Sequence, residues 1–251
     1  MPSGMLDLGR GPFIVGVADR IEALGACATL APDARPFDLV EARVDLFTGQ
    51  RLDDTGLEAC ARLEASGTPV LVTIRSESQG GRFAAGDVER LAGFRAALAV
   101  ASWADVEDDA GIIDDVAALV RARPAGQLIV SHHDFAATPP LDLLLDFVDR
   151  CHAAAPGAVA KVATAAKSAD DQAALRTLLA RRPERTAVIG MGAADDGLRV
   201  ELAAAGSLLA YGFIAGATAP GQISAEALHA RLLIASPRYA ARQRHSASAA
   251  L

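Results

Sequence analysis

Only two lysines, Lys161 and Lys167, occur among the 24 lysines and arginines of this chain. Side-chain amine chemistry therefore has two candidates. A genome-wide preference for arginine accounts for the imbalance itself. Lys161 lies in Ala158-Val159-Ala160-Lys161-Val162-Ala163-Thr164, apolar on both sides. An unpaired ammonium is costly to bury, and desolvation favours the neutral amine, the form that attacks a carbonyl to make an imine. The competing reading is a structural salt bridge to Asp105 or Glu107. Lys167, near the start of the next helix, is expected to face solvent. A histidine pair closes Leu128-Ile129-Val130-Ser131-His132-His133-Asp134-Phe135. By period two, Ser131 and His133 share a face and His132 points the other way. An amine and an imidazole on neighbouring strands suit imine formation with proton transfer.

Other charges fall where strands should be apolar. In Leu39-Val40-Glu41-Ala42-Arg43-Val44-Asp45, the alternation puts Glu41, Arg43 and Asp45 on one face and Val40, Ala42 and Val44 on the other. A buried structural ion network is the bland alternative there. Arg75 ends an apolar run and is followed by a loop containing Gly80-Gly81, able to bring backbone close to a ligand. Asp105 and Glu107 again share a face. Arg199 follows the Gly190-Met191-Gly192 segment, and Thr218 and Gln222 lie in a small-residue loop near the end. Three arginines and a lysine at one place in an acidic protein would make a cationic pocket for a small anionic, hydroxylated carbonyl compound.

These residues must be positioned by regular elements. Strand-like segments recur roughly every 25 to 35 residues, as expected of successive βα units: Phe13–Asp19, Phe37–Phe47, Pro69–Arg75, Trp103–Glu107, Gln127–Phe135, Val159–Thr164, Thr186–Met191 and Leu208–Ile214. Helical periodicity fills the intervals, with Ser168 and Ser224 as N-caps. Eight such units predict a single (β/α)8 TIM barrel over residues 13–237. Residues 1–12 read as a leader and residues 238–251 as a frayed or disordered tail. The runner-up is an open doubly wound sheet, disfavoured because no G-x-G-x-x-G follows a strand.

Composition narrows the function classes. A net charge of −7 argues against nucleic acid and anionic membrane surfaces. No apolar run reaches the length of a membrane span, and the start lacks the pattern of a secretory signal. Cys27, Cys60 and Cys151 are odd in number and in no ligand spacing, which reads as reduced thiols of a cytoplasmic protein. Neither a Walker loop nor a Cys/His cluster is present, so no cofactor and no metal are expected.

Taken in order, Glu41-Ala42-Arg43-Val44-Asp45, Thr73-Ile74-Arg75, Asp105-Val106-Glu107, Ser131-His132-His133-Asp134-Phe135, Lys161-Val162-Ala163, Gly190-Met191-Gly192 with Arg199, and Ala219-Pro220-Gly221-Gln222 resemble the type I 3-dehydroquinate dehydratases. The resemblance runs from Ile14 to about Leu233. It implies a cofactor-free, homodimeric enzyme of the shikimate pathway. Lys161 would form an imine with the C3 ketone of 3-dehydroquinate, and His133 would carry the proton from C2 to the departing C1 hydroxyl in a syn elimination. Arg199 would pair with the substrate carboxylate. Glu41, Arg43 and Arg75 would hold its hydroxyls, Met191 would pack on its ring, and Thr218 and Gln222 would close over it. Asp105, Glu107 and the residue at position 79 would form a supporting network.

The chain departs from that pattern in four places. The family's glutamate before the Gly-Gly pair, which bonds the catalytic histidine, is Gln79 here; an amide can orient an imidazole but carries no charge. Glu77 is the nearest alternative carboxylate. The serine before the arginine is Leu198, a common glycine is Asp195, and the serine of the last loop is Thr218. Two other functions therefore stand beside the first: a Schiff-base dehydratase of a related cyclic keto-acid, and a catalytically impaired relative that binds a metabolite.

Overall fold

A computed structural model describes residues 6–192, 197–216 and 222–249, the last five through their backbone alone. Eight parallel strands alternate with helices: β1 (Phe13–Ala18), α1 (Ile21–Thr29), β2 (Leu39–Arg43), α2 (Asp54–Ala65), β3 (Val70–Thr73), α3 (Asp87–Ala97), β4 (Trp103–Glu107), α4 (Ile113–Arg121), β5 (Gln127–Asp134), α5 (Leu141–Ala154), β6 (Val159–Ala165), α6 (Ala169–Arg181), β7 (Thr186–Met191), α7 (Gly197–Ala204), β8 (Leu209–Phe213) and α8 (Ala225–Ala235). The spatial order β7-β6-β5-β4-β3-β2-β1-β8 follows the chain, and the first strand pairs with the last. A doubly wound sheet reverses its strand order at a switch point, so the open-sheet alternative is excluded. Between β7 and β8 the Leu208 amide donates to Thr186 O at 2.9 Å, and the Ser207 hydroxyl accepts from the Val188 amide at 2.9 Å. The sheet thus curls into a nearly closed (β/α)8 barrel.

The caps read from the sequence are in place. The Ser168 hydroxyl accepts from the Asp171 amide while the Asp171 carboxylate accepts from the Ser168 amide, a capping box that starts α6. Ser224 accepts from the Ala227 amide at the start of α8. Among the strands that are shorter than expected, β2 and β3 bear on the site. β2 stops at Arg43, and the chain turns through a 3-10 helix at Val44–Leu46. Across that turn Arg43 forks onto Asp45 two residues ahead. β3 stops at Thr73, two residues before Arg75.

Alternation along the strands creates two cores. Val40, Ala42, Val72, Ala104, Val106, Val130, Ala160 and Val162 face outward, packed under the helices. The inward set at the N-terminal ends is apolar: Phe13, Val15, Leu39, Leu71, Trp103, Ile129, Val159, Ala187 and Leu209. Further along the same inward columns come Glu41, Thr73, Asp105, Glu107, Ser131 and Lys161, all buried. The barrel interior therefore changes from oily at its base to ionic at its C-terminal end, the end that carries active sites in this architecture.

The base is sealed by the segment before β1 and by the last described helix. Leu6 and Leu8 pack against the interior cluster. The segment expected to fray is instead helix α9 (Pro237–Ala249). Tyr239 is buried and its hydroxyl lies 2.6 Å from His229 Nδ1. Arg242 forks onto Asp38 at 2.5 and 2.9 Å, donates to Pro12 O and stacks over the Phe13 ring. The sequence signal misled because the Ala, Ser and Arg composition suggests solvent, while two anchor residues dock the helix. The three cysteines are free and buried, and burial pushes the thiols up, to about 11 for Cys27 and about 12 for Cys60 and Cys151. No helix among the described residues is long and apolar enough to cross a membrane.

Because Tyr239 anchors α9, Tyr239→Ala is expected to cost about 3 kcal/mol of stability, the scale of emptying an aromatic site. Chemical denaturation measures it as a lower midpoint at unchanged slope. A cost below about 1 kcal/mol would mean that α9 is undocked in solution.

Candidate active site

A cavity of about 870 Å³ opens at the C-terminal end of the barrel. Its walls include Glu41, Arg43, Arg75, Gln79, His133, Lys161, Met191, Arg199 and Gln222. Thr218 and Asp195 lie outside the described residues. Asp105 and Glu107 do not reach the cavity surface; both are fully buried behind it.

Lys161 reaches the cavity from the interior column of β6, where its register partner on β5 is Ser131. Its Nζ donates to Asp105 Oδ2 at 2.8 Å and sits 4.3 Å from the centre of the Tyr211 ring. The salt bridge weighed as an alternative to chemistry is thus present, and the amine still lines the cavity. Asp105 is shared three ways. Besides Lys161 it accepts from the Ser131 hydroxyl at 2.6 Å and pairs with Arg75 at 3.0 Å. Burial opposes its ionisation, but Arg75 and Lys161 outweigh that and hold the carboxyl far below the usual carboxylate range. Arg75 also donates to Ser131 Oγ at 2.7 Å and pairs with Glu107 at 3.2 Å. Glu107 in turn is paired with Arg90 of α3 and accepts from the Ser76 amide, which ties the loop after β3 to the network. Arg75, expected to hold substrate, is only 3 % exposed and its guanidinium is occupied chiefly in fixing these two carboxylates.

On β2, Glu41 accepts from the Thr73 hydroxyl at 2.7 Å. Arg43 forks onto buried Asp45 at 3.0 and 2.9 Å, so its guanidinium is aimed before any ligand arrives. Arg199 stands in the first turn of α7 and donates to Tyr211 O at 3.2 Å. Leu198, in place of the family's serine, is buried, and any side chain at Gly190 would strike it. An apolar contact therefore seats the turn that carries Arg199. Lys167, at the cavity rim, is exposed and donates to Ala136 O at 3.0 Å.

His133 projects from the end of β5. Its backbone amide donates to Gln79 Oε1 at 2.9 Å, and its Nδ1 lies 3.2 Å from the same oxygen. Glu77 is exposed, so Gln79 and not Glu77 serves the histidine. The loop that delivers Gln79 depends on its glycines. Gly80 takes a left-handed φ of 78°, and a side chain at Gly81 would strike the Arg75 carbonyl. Phe135 stacks beside His133 at 6.3 Å. His132 points outward as expected: its Nδ1 lies 3.2 Å from both oxygens of Asp108, and its ring rests on Phe147 of α5. Three contributors were not singled out from the sequence. Tyr211 sits on the inward column of β8, where the alternation rule could have found it. Arg90 arrives from a helix, and Asp108 follows the end of β4; neither carries a local signal.

Set against known proteins, the profile of the Type I 3-dehydroquinase family matches residues 16–236. The chain is 36 % identical over 193 residues to the 3-dehydroquinate dehydratase of Methanocella arvoryzae, covering 76 % of this chain and 84 % of that protein. It is 31 % identical over 194 residues to the same enzyme of Methanococcus maripaludis strain C5, covering 76 % and 85 %. The crystal structure of 3-dehydroquinate dehydratase from Geobacillus kaustophilus superposes with a TM-score of 0.73 at 26 % identity, covering 89 % of this chain and 91 % of that one.

The two adjacent histidines are driven in opposite directions. Burial, then Arg75 and Lys161, push His133 well below its ordinary value of 6.5. The hydrogen bond to Asp108 raises His132 above it. At pH 6.5 the folded protein should hold His132 mostly protonated and His133 neutral. His132 then stabilises the fold below pH 6.5, an advantage lost as pH rises through its raised value. His133 does the reverse: below pH 6.5 the unfolded chain takes up a proton that the folded imidazole refuses. An NMR titration of ¹⁵N-labelled imidazoles measures both, and coincident titration of the pair would contradict this electrostatic arrangement.

Proposed function

The chain belongs to the type I 3-dehydroquinase family and is a hydro-lyase acting on 3-dehydroquinate, and we propose that it works through an imine on Lys161 with His133 as proton carrier. The single observation that carries this reading is the placement of Lys161. Its amine is held by a buried carboxylate at the wall of a cavity that also presents an oriented imidazole.

The steps follow from those positions. The deprotonated Lys161 amine adds to the C3 ketone, and loss of that oxygen as water leaves an iminium, so a cation again faces Asp105. Asp105 is therefore matched to the nitrogen before and after the bond forms. The Nε2 lone pair of His133 takes a proton from C2, and the electron pair moves into the iminium to give an enamine. The enamine then expels the C1 hydroxyl, to which His133 returns the proton as water departs. Hydrolysis of the resulting iminium consumes one water, releases 3-dehydroshikimate and restores Lys161; the net change is loss of one water. Arg199 suits the substrate carboxylate, and Arg43, aimed by Asp45, and Glu41 suit its hydroxyls. Met191 offers an apolar wall, and Gln222 a polar one.

The impaired-binder alternative rests on Gln79. The hydrogen bond from His133 Nδ1–H to the Gln79 oxygen supports retained base function, because it leaves Nε2 unprotonated.

Incubation with 3-dehydroquinate and borohydride should fix a reduced adduct, seen in the intact mass and mapped to Lys161. Without borohydride, dehydroshikimate absorbance should rise. Lys161→Met should abolish both signals; it also lowers stability by unpairing Asp105, so circular dichroism of the variant accompanies the assay. An adduct on Lys167, or turnover by Lys161→Met, would sink the assignment.

A further inference from the structure

We propose that Asp108 is a positioning residue for His133 and acts through the Gln79 side-chain amide. The proposal rests on the reading of His133 as the proton carrier. An amide has two unlike ends, and its orientation decides which imidazole nitrogen is protonated. The Gln79 oxygen faces the His133 backbone amide at 2.9 Å, and that group only donates, so an acceptor must stand there. The Gln79 nitrogen then points the other way, to Asp108 Oδ1 at 3.3 Å. An ionised carboxylate only accepts. Turning the amide over would set donor against donor at His133 and oxygen against carboxylate at Asp108, so the two contacts select one orientation from opposite ends.

The selected orientation places an acceptor 3.2 Å from His133 Nδ1. That nitrogen must carry the proton, which leaves the Nε2 lone pair for the cavity. Burial, with Arg75, Lys161, Asp105 and Arg43 around the imidazole, governs its proton affinity, but among the described residues the oxygen that accepts from Nδ1 is that of Gln79. Asp108 is itself anchored. Its backbone amide donates to Ser131 O at 2.9 Å, and His132 Nδ1 lies 3.2 Å from each carboxylate oxygen. Gln79 is buried, so water competes poorly for its ends. In this chain a neutral side chain touches the base while the orienting charge sits one residue further back.

A double-mutant cycle tests the idea, because glutamate at position 79 has two equivalent oxygens and needs no orienting partner. With Gln79 present, Asp108→Ala should lower kcat about tenfold, the effect of one hydrogen bond to a charged group, with KM changed by no more than about twofold. In the Gln79→Glu background, Asp108→Ala should not lower kcat, since it removes a carboxylate facing a carboxylate. Equal falls in both backgrounds, or no fall with Gln79, would overturn the proposal. Asp108→Asn, isosteric with the native residue, carries the same comparison should the alanine variant fail to fold. In ¹⁵N spectra of labelled imidazole, His133 should be protonated at Nδ1 in the native protein and shift toward the Nε2–H form in Asp108→Ala; an unchanged tautomer would also overturn it. That measurement needs no substrate, so it fails separately from the assignment of activity.

Discussion

A carboxylate with no access to water sits at the centre of the barrel and must be satisfied entirely by protein groups. Asp105 accepts from Lys161 and Ser131 and pairs with Arg75, on strands or strand ends β6, β5 and β3. Removing any one partner would leave a buried charge short of compensation, which is far costlier than losing a surface pair. Each partner is consequently held at one distance, and the Lys161 amine is among them. The same constraint spreads outward. Arg75 bears on Glu107 as well as Asp105, Glu107 draws Arg90 down from α3, and Glu107 fixes the loop amide of Ser76.

This network occupies positions that alternation assigns to the barrel core. The fold tolerates it because the layers below are filled by Phe13, Val15, Leu39, Leu71, Trp103, Ile129 and Val159, and the base is closed by Leu6, Leu8 and α9. Hydrophobic packing at one end keeps the strands in register against the cost of ionic groups at the other. Site and stability are thus separated along the barrel axis, and the outward faces of the same strands, packed under the helices, contribute nothing to the ionic layer.

His133 shows how an orienting partner differs from a charged one. It lies among Arg75, Lys161 and Arg43; burial first, and then these cations, disfavour imidazolium. A neutral amide in direct contact does not offset them, so the basicity of His133 is low, yet its tautomer is well defined by Gln79. In this arrangement direction is supplied at short range by Gln79, and the opposing negative charge comes from Asp105.

The sequence alone determined what depends on local periodicity and on residue type. Period-two alternation identified the inward columns of β2, β4, β5 and β6, so Glu41, Asp105, His133 and Lys161 were legible as residues sharing an interior. The spacing of eight βα units gave the barrel, and Ser168 and Ser224 gave helix starts. What it could not determine are relations between segments distant in the chain. Asp105 and Lys161 are 56 residues apart, and whether the lysine meets Asp105 or Glu107 is decided by barrel stagger, not by either strand. The docking of α9 depends on the pairing of Arg242 with Asp38, 204 residues earlier in the chain. The contact of Gln79 with Asp108 joins two loop segments that carry no periodicity at all. Local patterns encode which face a side chain takes; only closure of the barrel decides which partner it finds there.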